Sequence, residues 1–230
     1  MVSNRTMWII GGAIVAIWGI GTFYMSASPN GAPDQAQAQR APQKAEYPVA
    51  ELMKPGPLPE IGLGSKDAPV TIIEYSSMTC PHCATFHEKS LPELKAKYID
   101  TGKVRYIIRE FPLDNLAAAA FMLARCAGPE KTLPMIELLY AQQKEWAFVE
   151  GSPLPALRKI TKVNAGIDKK AFDACLSDQK TLDKVLAIRK RGGQEFGVSS
   201  TPTFFVDGTV LKGGHSLADF EKVMEANLKK

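Results

Sequence analysis

The chain has 230 residues, 45 % of them hydrophobic and 23 % charged, enough for one globular domain with appendages. Its net charge of +4 comes without a long basic run or aromatic–basic interleaving, so nucleic-acid binding has no support. Four cysteines in two apparent pairs suit an oxidising compartment.

Met7 to Met25 is an uncharged, mostly apolar run of 19 residues. As a helix it would be about 28 Å long, close to the roughly 30 Å hydrocarbon core of a bilayer. Arg5 precedes it and no Lys or Arg follows before Arg40, which predicts a cytoplasmic N-terminus and an exported remainder. A cleaved signal peptide competes with this reading. Its apolar core is shorter, about 7–15 residues, and the small-x-small site Ser26-Ala27-Ser28 is followed at once by Pro29. We therefore expect an uncleaved signal-anchor over residues 1–25. Ser26 to Glu46 contains no Val, Ile, Leu, Phe, Tyr or Trp, so it cannot bury enough apolar surface to offset ordering. The expected linker spans residues 26–48 and the expected domain 49–230.

Tyr47 to Gly64 carries four prolines and reads as irregular, with a short edge strand near Val49–Met53. Val70-Thr71-Ile72-Ile73-Glu74-Tyr75 is a β-branched, almost continuous apolar run, the pattern of a central strand covered on both faces. A helix follows from Cys80 to Tyr98, kinked at Pro92. Val104 to Phe111 is the next strand, and strand–helix–strand at this spacing predicts a right-handed parallel unit. From Asp114 to Phe196 the periodicity is helical. Helices are expected at Leu116–Cys126, stopped by Gly128-Pro129, and at Pro134–Trp146, with Thr132 as cap. Three more are expected at Pro155–Val163, Asp168–Leu176 and Thr181–Phe196, the last weakened at Gly192-Gly193. Thr203–Val206, Asp207-Gly208 and Thr209–Lys212 then predict a hairpin with a type I′ turn. Ser216-x-x-Asp219 resembles a capping box for a final helix to Leu228.

The chemistry lies in Cys80-Pro81-His82-Cys83, at the first strand-to-helix junction. Cysteines at i and i+3 on a helix are neighbours and suit a disulfide. Pro81 fits the first helical position, which puts Cys80 at the N-cap. There its sulfur can receive the free N–H groups of His82 and Cys83 at the positive end of the helix dipole. Both effects favour thiolate, and a protonated His82 would favour it further. Thiolate is the form that attacks and leaves in disulfide exchange. A C-x-x-C pair can also be half of a zinc site. Structural zinc, however, needs a second Cys or His pair at short spacing, and Cys126 and Cys175 stand far apart. An inert structural disulfide is the other alternative.

Four features together resemble the thioredoxin fold with a helical insertion, and more narrowly the DsbA family of exported thiol–disulfide oxidoreductases. They are the Cys-Pro-His-Cys motif, the acidic Glu74 six residues before Cys80, the insertion length, and Ser200-Thr201-Pro202-Thr203-Phe204-Phe205 opening the hairpin. The resemblance covers Gly64 to Lys230. Cys126, Cys175, the retained anchor and Thr201 before Pro202 depart from the family pattern. The expected fold class is α/β: a thioredoxin fold with an inserted helical subdomain, preceded by a single N-terminal transmembrane segment.

Cys80, which caps the helix, is expected as the nucleophile and Cys83, on the next turn, as the resolving thiol; His82 is either a solvated helix-start residue or, as we expect, a stabiliser of the Cys80 thiolate. The resemblance implies a role for Glu74 in proton transfer with the buried cysteine. The alternative is a strand-end charge reaching solvent. It also implies a cis Pro202 facing the cysteines, leaving the Thr201 backbone to pair with an extended substrate. Cys126 and Cys175 are either free buried thiols or, as we expect, a structural disulfide. His87 and His215 are expected in solvent, Trp146 and Phe148 in the core of the insertion. The implied function is a dithiol oxidase that needs no cofactor. It would act on exported proteins with cysteine pairs in the bacterial periplasm, tethered to the inner membrane by residues 7–25 and reoxidised by a quinone-linked membrane protein. A reductase or isomerase kept reduced by a partner, and a chaperone with incidental cysteines, are the alternatives.

Overall fold

The computed structural model describes residues 47–228, the Ala226 side chain excepted. The expected anchor at Met7–Met25 and the linker from Ser26 to Glu46 lie outside the described residues. Tyr47 and Pro48, expected in the linker, belong to the domain. The Tyr47 ring meets Phe196 and Phe205 edge-on at 5.7 and 5.4 Å, and its N–H donates to the Gly208 carbonyl at 3.2 Å. Among the described residues no helix is long and apolar enough to cross a membrane.

Five strands are described: β1 (Ile61–Leu63), β2 (Val70–Ser76), β3 (Val104–Glu110), β4 (Thr203–Val206) and β5 (Thr209–Lys212). They form one mixed sheet in the order β1-β3-β2-β4-β5. β2 and β3 are parallel, with Val70 opposite Val104, and β4 is antiparallel to β2, with Tyr75 opposite Thr203. The expected parallel unit and hairpin are present. Asp207 and Gly208 both have positive φ, 45° and 86°, which is the type I′ turn.

β2 is central because both of its faces find apolar partners. Ile72 joins the larger core, with Phe86, Phe204, Phe220 and the inserted helices. Ile73 and Tyr75 join a smaller core with Phe196 and Phe205. Each such side chain fully buried stabilises by about 1.5–3 kcal/mol.

The helix that begins at Pro81 continues over residues 81–99. Pro92 lacks the N–H that would bond four residues back, and the turn before it, Phe86–Ser90, is wound as a π-helix. The inserted helices are Asn115–Cys126, Pro129–Ala141, Gln143–Trp146, Leu154–Ala165, Lys169–Leu176 and Gln179–Phe196. Cys126 and Cys175 are joined by a disulfide with Cα atoms 6.1 Å apart and a sequence separation of 49. Closing a loop of that length contributes about 4 kcal/mol in the chain-entropy model.

Four expectations need correction. Val49–Leu52 is a helical turn and not a strand, because the Pro48 carbonyl accepts from both Glu51 and Leu52. The edge strand is β1, antiparallel to β3. Pro129 starts a helix instead of helping to end one. Gly128, at φ 93°, makes the turn and Pro129 takes the first helical position, so Pro134 falls inside the helix. Thr132 is not a cap, since its hydroxyl donates back to the Gly128 carbonyl at 2.9 Å. Gly192 is a packing point and not a weakness: a Cβ there would lie 2.5 Å from Cε1 of Tyr75.

This last contact generates a prediction. Tyr75 is fully buried and cannot swing away from an added methyl. Gly192→Ala should cost about 1–3 kcal/mol despite the better helix propensity of alanine. Denaturant unfolding measures it, and a loss under about 0.5 kcal/mol would refute the close-packing account.

Candidate active site

Cys80 is the N-cap residue of its helix, in extended conformation at φ −83° and ψ 118°, with Pro81 at the first helical position. Its carbonyl accepts from Ala84 N–H, and its own N–H donates to the Ser77 carbonyl at 3.0 Å. Cys83 lies one turn on, inside the core. Both cysteines are free thiols here; Cys80 is 5 % exposed and Cys83 fully buried.

The two thiols differ sharply. The Cys83 thiol, as hydrogen-bond partner, lowers Cys80 to about 6 against the opposing effect of burial. The Thr201 hydroxyl and the N–H groups of Cys83 and His82 act in the same direction. In the thiol form Cys80 Sγ donates to the Thr201 carbonyl at 3.3 Å. The Thr201 hydroxyl oxygen is buried with no other partner, so its proton is available to a thiolate. Cys83 is pushed well up, first by burial, then by its bond to Cys80 and the negative charge of Glu74; Ser76 partly offsets this. His82 is exposed and acts on Cys80 through its backbone N–H.

Glu74 is fully buried on β2 and accepts from three directions. Ser76 Oγ donates to Oε1 at 2.8 Å, His87 Nε2 lies 3.0 Å from Oε2, and the Tyr106 hydroxyl makes a short bond to Oε2. Tyr140 extends the network to Ser76 at 2.6 Å. The strand-end alternative for Glu74 is ruled out by this burial. Burial pushes the phenols of Tyr106 and Tyr140 well up, so they serve as hydroxyl donors.

The Thr201–Pro202 peptide bond is cis, as expected, in the loop that faces Cys80. On the other side, Gln143 Nε2 donates to the carbonyls of Met78 and Cys80 at 2.8 and 3.0 Å. Asp114 caps the Asn115–Cys126 helix at Ala117 N–H while accepting from Thr79 Oγ1 at 2.6 Å. The inserted helices thus hold the loop that presents Cys80. An open cleft of about 840 Å³ runs past Cys80, between Thr201 on one side and Leu113 and Phe148 on the other.

Three expectations fail at the site. His87 is buried and bonded to Glu74, since it lies one helical turn beyond Cys83 on the same inward face. His215 is half-buried against Phe204 and Phe220 rather than solvated. Trp146 is in the core, its indole N–H donating to Leu139 at 2.8 Å, but Phe148 is 56 % exposed on the cleft. Sequence reasoning misses Ser76, Tyr106, Tyr140 and Gln143. Ser76 could have been found from its i+2 relation to Glu74 on one strand face. Among the described residues no three His, Cys, Asp or Glu side chains converge as a metal site requires.

The sequence model of a family described as thioredoxin matches residues 58–226. The chain belongs to the thioredoxin family and is DsbA-like. The crystal structure of Wolbachia pipientis alpha-DsbA1 is 32 % identical, with a TM-score of 0.70 over 78 % of this chain and 95 % of that one. Bacillus subtilis BdbD, at 23 % identity and a TM-score of 0.62 over 74 % of this chain and 94 % of that one, shares the fold. A Rickettsia bellii relative named as a protein-disulfide oxidoreductase is 33 % identical over 76 % of this chain. The match spans 66 % of that relative, and a Rickettsia conorii relative of the same description is matched over 55 % of its length at 35 % identity and 67 % of this chain.

Alkylation rate against pH tests the asymmetry of the thiols. Cys80 should inflect near 6, well below the roughly 8.5 of a free cysteine. In a Cys80→Ser variant, Cys83 should react only far above that value, and Glu74→Gln should bring its inflection down by removing the charge. Equal inflections for the two cysteines would refute this picture.

Proposed function

We propose that this chain is a dithiol oxidase, donating a Cys80–Cys83 disulfide to exported proteins that carry cysteine pairs. The observation that carries the reading is the placement of Cys80 at the helix N-cap beside Thr201, which favours its thiolate, with Cys83 one turn deeper in the core, which disfavours it.

A substrate thiolate attacks Cys80 Sγ, and the Cys80–Cys83 bond breaks. Cys83 leaves as a thiolate and takes up a proton, since its buried site disfavours charge. That proton is the one the substrate thiol releases on ionising, and the Ser76 hydroxyl beside Cys83, connected to Glu74, is the route we assign to its relay. A second substrate thiolate then attacks the substrate sulfur of the mixed disulfide. Cys80 is expelled as a stabilised thiolate, and a low thiol pKa makes it the better leaving group. The substrate leaves with a disulfide and the enzyme with Cys80 as thiolate and Cys83 as thiol. Thr201, beside Cys80, offers main-chain groups to an extended substrate. The exposed side chains of Leu113 and Phe148 offer apolar contact across the cleft.

Turnover then needs an oxidant, for which we propose a quinone-linked membrane protein. We further propose a periplasmic site of action, with residues 7–25 as the anchor and the N-terminus in the cytoplasm. Two measurements bear on this: alkaline carbonate extraction should leave the chain in the membrane, and protease should digest the domain in spheroplasts but not in intact cells. Release of the full-length chain by carbonate would refute the tether.

The direction of electron flow has its own test. Stabilising the Cys80 thiolate stabilises the reduced protein, while the neutral disulfide gains little. Reduced protein should therefore resist denaturant better than oxidised, by about 1 kcal/mol or more, since about 30 mV of oxidising shift corresponds to 1.4 kcal/mol. The Cys126–Cys175 bond must stay intact in both samples. Cys80 has a folded pKa below its unfolded value. Its contribution is present above the unfolded value, about 8.5, and is lost as pH falls through about 6. The stability gap should shrink over that window. A more stable oxidised form would point to the reductase reading instead, and full activity in Cys80→Ser to a chaperone.

A further inference from the structure

A second cavity, of about 610 Å³, lies under the proline-rich segment that runs from Met53 to Glu60. It shares no lining residue with the cleft at Cys80. Its volume is that of a site for a small organic molecule. Its apolar walls are the rings of Pro55 and Pro57, with Leu58 and Ile188 beside them.

Its charge is uneven. Most of the cations on its wall have a carboxylate partner: Arg105 pairs with Glu60 at 2.8 Å, Arg125 with Glu110 at 2.5 Å and Arg191 with Glu195 at 3.0 Å. Lys54 pairs with Glu51 at 2.5 Å. Arg109 is different. It is half-buried, and its partners among the described residues are neutral oxygens: the Tyr75 hydroxyl at 3.1 Å and the Leu52 carbonyl at 2.5 Å. Its guanidinium carbon stands 5.7 Å from the Tyr75 ring centre. A guanidinium has five N–H donors, so capacity remains after these two bonds. Lys66, at the rim, is exposed and has no ion pair among the described residues.

A half-buried cation without a counterion is costly unless an anion completes it. Lys66 is exposed and keeps its water, whereas the half-buried Arg109 guanidinium is the group a ligand carboxylate would complete. The exposed rings of Pro55 and Pro57 and the Arg109 guanidinium plane offer flat faces, to which an aromatic body is complementary. We propose that this cavity binds an aromatic monocarboxylate, with Arg109 as the residue that holds its carboxylate.

The test is calorimetric titration of the full chain with 2-naphthoate and with its neutral counterpart 2-naphthamide. The carboxylate should bind one saturable site, and the amide at least about tenfold more weakly, the loss expected for a charge-assisted hydrogen bond. Arg109→Gln should weaken 2-naphthoate to the level of the amide and leave the amide unchanged. Gly56 is exposed, and a Cβ added there would lie 3.7 Å from Ile188 Cγ1, so Gly56→Trp should fill the cavity and abolish binding of both probes. Alkylating Cys80 should change nothing. The proposal is overturned if 2-naphthoate shows no saturable site, or if the amide binds as tightly. Binding that survives Gly56→Trp, or that disappears when Cys80 is alkylated, also overturns it. Should Arg109→Gln fail to fold, Gly56→Trp and the amide comparison decide.

Discussion

The burial of Glu74 constrains much of the rest. A carboxyl group on a strand covered on both faces has no water to turn to, and each hydrogen bond left unmade there would cost about 1–3 kcal/mol or more. The fold answers with donors from three elements: Ser76 from the same strand, Tyr106 from β3 and His87 from the helix that carries both thiols. Tyr140, from the inserted helix Pro129–Ala141, then fixes Ser76. Sheet register, the setting of the Cys80 helix and the docking of the insertion are therefore coupled at one point. Shifting β3 by one residue would take Tyr106 off this face altogether.

The same carboxyl group separates the two cysteines chemically. Cys80 sits where a helix begins, among N–H groups, a neighbouring thiol and the Thr201 hydroxyl. Cys83 sits one turn deeper, where burial and the charge of Glu74 outweigh the Ser76 hydroxyl. Three residues of sequence span the change from a site that favours a thiolate to one that resists it. The disulfide between them is thus poised to open in one way, with substrate on Cys80 and the proton on Cys83.

Much of this was legible in the chain. The β-branched run at Val70–Tyr75 and Asp207-Gly208 carry their own local physics, and the structure follows both. Pro81 marks the helix start and, with it, the capping position of Cys80. What failed was of another kind. Pro129 and Pro134 are both acceptable first-turn residues, and only the positive φ of Gly128 decides between them. His87 has a polar side chain on a helix of mixed pattern, so its burial depends on a carboxyl group in another element. Tyr140 and Gln143 reach the site across the whole insertion, and no local periodicity marks such a contact. Hydrophobicity alone assigns Phe148 to the core, and that is a one-way rule.

The placement of the two cysteine pairs on their helices also keeps their chemistries apart. Cys80 stands at a helix N-terminus, the positive end of the dipole, where thiolate is favoured. Cys126 is the last residue of Asn115–Cys126, and Cys175 is next to last in Lys169–Leu176. Both therefore sit at negative helix ends, where a departing thiolate is disfavoured. Exchange is fast when the leaving thiol has a low pKa and slow when it does not. The Cys126–Cys175 bond can stay closed beside a reactive pair even though Cys126 is exposed, because attack on it would have to expel a poor leaving group from either end.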